Sequence, residues 1–301
     1  MRPVAPTLSA FDLALYGATL FAWSTSWIAL KMQLGTVTPV VSVFWRFVIA
    51  ASIVFIWARL AGYRLRFPLA DHLRFMALGV LIFSTNFVLF YYGGQHLASG
   101  LLSVVFSLAS VINMLLAALF LGQALEARVA LGAAIGISGI ALVFWPEIAG
   151  TEFNHEALIG LAFCVSGTLS FSFGNMVSAA GQKRGLPVVS TNAWGMAYGA
   201  LALGLFALVR GDSFAIEFTP SYIGSLLWLA VIASVIAFAA YLTLLGRIGS
   251  GRAGYLTVMF PVIALAISTF AEGYRWTLPA IVGLMLVLAG NVVILTRRRA
   301  R

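Results

Sequence analysis

The residues able to do chemistry in this chain are hydroxyls, amides and rings set inside long apolar runs. Ser99, Ser103, Ser107 and Ser110 recur at helical spacing, with Asn113 beside them. Residues three and four apart share one helix face. Thr168, Ser172 and Asn175, flanked by Phe171, form a second such row. Thr19, Trp23 and Ser26 form a third, and Ser84-Thr85-Asn86 lies ahead of Tyr91 and Tyr92. Trp228, Phe238 and Tyr241 add rings; Met259 and Phe260 precede Pro261. Such a set suits non-covalent recognition of a small organic molecule, through polar anchors in an apolar pocket and rings that can stack. Each row also has a plainer use, in hydrogen bonds between helices.

Other chemistries find little support. Gly136-Ile137-Ser138-Gly139 matches the GxSG pattern of intramembrane serine proteases. A serine nucleophile needs a base within reach, and His72, His96 and His155 all fall near the ends of apolar runs or in a loop. There is no HExxH and no phosphate-cradling loop, and the one cysteine, Cys164, forbids an intrachain disulfide or a cysteine metal cluster. No cofactor is expected.

The elements that must position these residues are membrane spans. The 301 residues are 62% hydrophobic and 9% charged, with a mean hydropathy of +1.03. That composition exceeds what a soluble domain can bury. The net charge of +9 would suggest nucleic acid in a soluble protein. Here the basic residues sit at span ends, where anionic lipid is the partner and nucleic acid is not. Ten spans follow from hydropathy, at approximately 11–31, 38–59, 70–93, 97–121, 128–146, 156–180, 188–209, 221–245, 252–271 and 277–296. The first runs on to Lys31 without a small-residue cleavage site and reads as a retained span. Of the 18 Lys and Arg, only Lys31, Arg210 and Arg275 fall on the side opposite the termini, and Arg46 lies within a span. The positive-inside bias therefore puts both termini in the cytoplasm.

The chain also repeats itself. Moved forward by 151 positions, the stretch 98–143 meets 249–294 without a gap. Gly122 falls on Gly273, Gly132 on Gly283, Gly139 on Gly290, and Ser110 on Pro261. At a slightly smaller offset Pro39-Val40-Val41-Ser42 meets an identical Pro187-Val188-Val189-Ser190. Five spans per unit make the second unit enter the membrane upside down. The expected fold is an all-α integral membrane protein of ten transmembrane helices in two five-helix inverted repeats, 1–147 and 148–301. That architecture is common among secondary transporters, with a site near the midplane between the halves. A channel or a non-transporting scaffold is the other reading.

The run Ala22 to Lys31, Pro39 and Trp45-Arg46-Phe47 resembles the opening of the EamA-type drug/metabolite transporters. Leu121-Gly122-Gln123 with Gly132 and Gly139, and Pro261, Glu272-Gly273, Gly283 and Gly290, continue the resemblance over essentially the whole chain. Within that superfamily the chain is most similar to the YddG-type exporters of aromatic and other amino acids, partly through Trp23-Ser24-Thr25. Ser110 stands where the family usually has proline, and Gln123 where it often has glutamate. The resemblance implies an inner-membrane location and a central cavity built mainly from spans 1, 3, 4, 6, 8 and 9. An amino acid becomes the expected substrate, moved by alternating access. The expected binding residues are Trp23, Ser26, Asn86, Ser103, Ser107, Ser110, Phe171, Ser172, Asn175, Phe238, Tyr241 and Met259, with a kink at Pro261.

Arg46 lies about 12 Å below Thr38 at 1.5 Å per residue. It could grip a substrate carboxylate or satisfy helix carbonyls, and a span outside the cavity argues for the second. No carboxylate occupies a span core, so transport is expected to follow the substrate gradient, or to couple weakly through an end residue such as Glu272. The glycines of span 5 and Gly195 and Gly199 of span 7 allow close helix contact, compatible with a monomer or a homodimer.

Overall fold

A computed structural model describes residues 9–121, 127–148, 154–248 and 256–295, and contains ten helical rods and no strand among them. They are α1 (Ala10–Lys31), α2 (Pro39–Leu60), α3 (Leu69–His96), α4 (Ser99–Phe106 and Ala109–Leu121), α5 (Ala127–Ile148), α6 (His155–Lys183), α7 (Val188–Arg210), α8 (Pro220–Leu227, Trp228–Ile236 and Ala237–Ile248, continuous), α9 (Leu256–Glu272) and α10 (Leu278–Leu295). Nine of these are long and apolar enough to cross a membrane; α9, the tenth, is shorter. Gln123, Glu126 and the basic residues beyond Leu295 lie outside the described residues, as do both chain termini.

Local chemistry sets the helix ends. Ser9 and Asp12 form a capping box that opens α1. Pro39 and Pro220 occupy first-turn positions of α2 and α8, where a missing N–H costs nothing. Gly211 takes a left-handed φ of 72° to close α7.

The packing is two-fold. Repeat partners pack on each other: α5 on α10, α2 on α7, and α4 on α9. Off the axis, α1 against α8 is matched by α3 against α6. The α5–α10 seam shows why glycine recurs in register. A Cβ on Gly139 would sit 2.6 Å from the Gly283 carbonyl oxygen, and one on Gly283 2.5 Å from that of Gly139. Gly132 and Gly290 stand in the same reciprocal relation, at 2.8 and 2.6 Å. Each glycine thus touches the repeat copy of its partner, as a two-fold contact requires. Gly195 and Gly199 lie likewise against Phe83 of α3. The glycine faces of α5 and α7 are therefore used inside the protomer, which corrects the expectation that they could pair two copies.

Two departures from straight α-helix were not visible in the hydropathy. The middle of α3 (Leu81–Asn86) and of α8 (Trp228–Ile236) is wound as π-helix. The 151-residue offset brings most of one segment onto the other. A π-turn skips a hydrogen-bond register and leaves a carbonyl for another donor. In α8 the Ser234 hydroxyl reaches the Leu229 carbonyl five residues back, at 2.8 Å.

Ser234 in turn explains Arg46. The buried guanidinium donates from Nε and Nη2 to Ser234 Oγ at 3.2 and 3.1 Å. It also lies 4.2 Å from the centre of the Phe87 ring, a cation–π contact strengthened by desolvation. The side chain thus joins α2 to α8 and α3.

Two stability outcomes follow, both read by thermal unfolding in detergent. Gly139→Ala should lose about 1–3 kcal/mol by overpacking. Gly224→Ala, with open space where its Cβ would go, should lose nothing. Ser234→Ala removes one acceptor of the buried guanidinium, leaving Tyr91, and should cost about 1–3 kcal/mol. Arg46→Met removes the charge itself and should cost less; a larger loss for Arg46→Met would contradict this account.

Candidate functional site

Five rings from five helices meet between the halves. Trp27 of α1 lies 5.2 Å from Phe90 of α3, 5.6 Å from Phe106 of α4 and 6.4 Å from Phe260 of α9, centre to centre. Phe106 is 4.8 Å from Phe171 of α6. Among the expected residues only Phe171 belongs to this cluster. Trp27 and Phe260 stand one or a few positions from residues singled out in the sequence. A single step along a helix turns the side chain by about 100°, so composition alone could not choose between neighbours.

One turn along α1 from Trp27, Trp23 meets Phe238 at 5.8 Å and Tyr241 at 5.1 Å, both from α8. Its Nε1 donates to the Ala233 carbonyl, in the π-wound part of α8, at 3.4 Å. Here the expected grouping of α1 and α8 rings comes together. Ser26 donates to the Trp23 carbonyl at 2.7 Å.

The polar rows divide by what their protons do. Ser103 and Ser107 are fully buried and donate to carbonyls three residues back, those of Gly100 and Val104, each at 2.6 Å. Ser110 donates to the Ser107 carbonyl at 3.0 Å. Such back-bonding bends helices, and α4 breaks at Ser107-Leu108. α9, by contrast, stays helical from Leu256 to Glu272 through Pro261, which is buried. The break in α4 lies beside Ser110, the repeat counterpart of Pro261, where three serines take the place of a proline.

Beyond the break the polar side chains face other helices. Asn113 accepts from Asn175 of α6 at 3.3 Å, and Ser110 also meets Asn291 of α10. Among the described residues, fully buried Ser172 finds no hydrogen-bond partner, and Asn86 donates to the Ile82 carbonyl while its own carbonyl oxygen finds none. Buried polar atoms of this kind carry a cost unless something else satisfies them. The Asn113–Asn175 pair lies on the α4–α6 seam that brings Phe171, one turn from Asn175, to Phe106. Apolar rings and uncharged hydrogen-bonding groups therefore meet along one seam.

Met259 is not part of it. The side chain is 45% exposed, on a stripe with Val262 and Phe270 that faces away from the bundle. Its sulfur meets the Tyr16 hydroxyl at 3.5 Å. This corrects the placement of Met259 in the cavity: its neighbour Phe260 is the inward residue. Ser138 of the GxSG pattern is exposed on α5. No group of three His, Cys, Asp or Glu able to hold a metal occurs among the described residues.

The description "EamA-like transporter family" matches the chain twice, over residues 12–145 and 158–296. Protein PagO of Salmonella typhimurium is 24% identical over 94% of this chain and 95% of its own. A probable amino-acid metabolite efflux pump of Escherichia coli is 23% identical, over 97% of this chain and 98% of its own. The uncharacterized transporter YvbV of Bacillus subtilis is 24% identical, over 100% and 96%. A crystal structure of 16% identity superposes with a TM-score of 0.67, covering 94% of this chain and 95% of that one, and so shares the fold. With both halves matched and ten apolar helices in two-fold array, this chain belongs to the EamA-like transporter family and is a multi-pass membrane protein.

Proposed function

We propose that this protein exports amino acids, aromatic and other neutral ones first, across the inner membrane by alternating access. Its two units, 1–147 and 148–301, rock about a site between them, with both termini in the cytoplasm. The observation that carries this reading is the seam of rings and uncharged polar groups. Trp27, Phe106, Phe171 and Phe260 offer faces to a hydrophobic side chain. Ser172, Asn175 and Asn113 offer hydroxyl and amide groups to a zwitterion. The second tier, Trp23, Phe238 and Tyr241, lines the same α1–α8 side. Ser103 and Ser107 shape the site through the α4 break, and Ser26, Ser110 and Asn86 supply acceptor atoms around it. The name of the Escherichia coli relative supports efflux of amino-acid metabolites as the activity. A substrate of that size and polarity suits a cavity with few anchors.

Among the described residues the carboxylates lie in loops or near helix ends. A proton carrier in the middle of a span is what a strongly proton-driven transporter uses. The substrate gradient is therefore the driving force.

Purified protein in liposomes should take up labelled phenylalanine and threonine saturably, with unlabelled amino acids competing. An imposed pH gradient should leave the rate unchanged. Absence of flux with either amino acid, in folded protein, would overturn the amino-acid reading and point to another metabolite or a drug. Trp27→Ala should raise the KM for phenylalanine by about fivefold, as loss of a ring contact of about 1 kcal/mol does. Ser138→Ala should change nothing, since that hydroxyl is on the outer face of α5.

A further inference from the structure

At the Lys31 end of the bundle the turn from α3 to α4 is only Leu97-Ala98. Both helices that flank it are held at their tips by a charge from elsewhere. Lys31, at the end of α1, donates from Nζ to the Gly94 carbonyl at 2.5 Å and the Leu97 carbonyl at 2.9 Å. These close the C-terminus of α3, where a cation complements the helix dipole. Glu272, at the end of α9, accepts from the Ser99 backbone N–H at 3.2 and 2.9 Å, and from the Ser99 hydroxyl. This is the N-terminus of α4, where an anion is favoured. Ser268 donates to the same carboxylate at 2.6 Å. Lys31 and Glu272 also attract each other.

The seams beneath these contacts are tight. A Cβ on Gly100 of α4 would lie 2.7 Å from Leu265 Cα of α9, and one on Gly94 of α3 would lie 3.1 Å from Leu30 of α1. One turn deeper along α1 sits Trp27 with its ring cluster. Two charged residues, one from each repeat, thus clamp a single corner over the site. Neither charge lies in the ring cluster.

We propose that Lys31 and Glu272 form the latch of a gate: together they hold the α3–α4 corner against α1 and α9, and the latch must release in each cycle to open this end. The proposal rests on the alternating-access reading. Charge-assisted hydrogen bonds to helix ends are strong enough to hold a closed state, and each can be replaced by water once the corner moves out. The role assigns Glu272 to positioning, so its effect is on the balance of states and not on affinity for substrate.

The first test needs no substrate. In a Cys164→Ala background, Leu30→Cys places a thiol on the seam, at a residue 3% exposed in the closed form. Its reaction with a membrane-impermeant methanethiosulfonate should be slow. Adding Glu272→Ala or Lys31→Met should accelerate it by about tenfold, the factor lost with one charge-assisted hydrogen bond. Unchanged labelling in both variants, each eluting as folded protein on gel filtration, would overturn the latch. The second test locks it. Ser99 and Ser268 donate to the same Glu272 oxygen, so Ser99→Cys with Ser268→Cys should form a cross-link on oxidation that abolishes flux, restored by dithiothreitol. Cross-linked protein that still transports would also overturn the proposal. If labelling accelerates while no amino acid is moved, the latch stands and the substrate assignment fails.

Discussion

Any backbone or side-chain group that leaves the helical hydrogen-bond ladder within a bilayer must find its partner inside the protein. Much of this structure follows from where such groups were allowed to appear. They are gathered in α3, α4 and α8, around the rings that meet between the halves. The serines of α4 satisfy themselves on their own helix and break it. The π-wound stretch of α8 receives Ser234 on one carbonyl, and Ser234 receives Arg46. A charge that would be prohibitive against lipid becomes the tie between α2 and α8. The helices α5 and α10 join through close glycine contacts, with Val143, Val287 and Ile294 packed beside them.

That division separates a frame from working parts. Hydrophobic burial drives little association between helices in lipid, so close backbone contact has to supply it. The α5–α10 seam does so by reciprocal glycines, and the two-fold axis means one sequence solution was used on both sides. The α1, α3, α4, α6, α8 and α9 group meets instead through rings, a few amides and helix-tip charges. Rings slide and restack at small cost, while a glycine seam admits no such adjustment. On the alternating-access proposal, this contrast is what lets one part move against the other.

How much of this could be read from the sequence depends on the kind of interaction. Span positions, the repeat and the glycine register were legible, because hydropathy and small-residue spacing report them directly. The role of Arg46 stayed open between a substrate grip and a structural cap, because its partner Ser234 lies 188 residues away and nothing local marks it. Met259 was chosen where Phe260 points inward, an error of one residue and about 100° of helix. The break in α4 carried no signal, since proline announces itself and serine back-bonding does not. The π-segments left no trace at all, because hydropathy is blind to which carbonyl an N–H chooses. Glu272 was noticed as a charge at a helix end; its attachment to the α4 tip needed the fold.

The account stands or falls on whether the Lys31 end opens and closes. The most direct measurement is the distance between spin labels at Gln95, at the end of α3, and Arg275, just past α9, both exposed, read by double electron–electron resonance in lipid. The account predicts two distances, one matching the closed form and one several ångströms longer by the scale of rigid-body gating, with their proportions shifted by added amino acid. A single narrow distance, the same with and without amino acid, would contradict it.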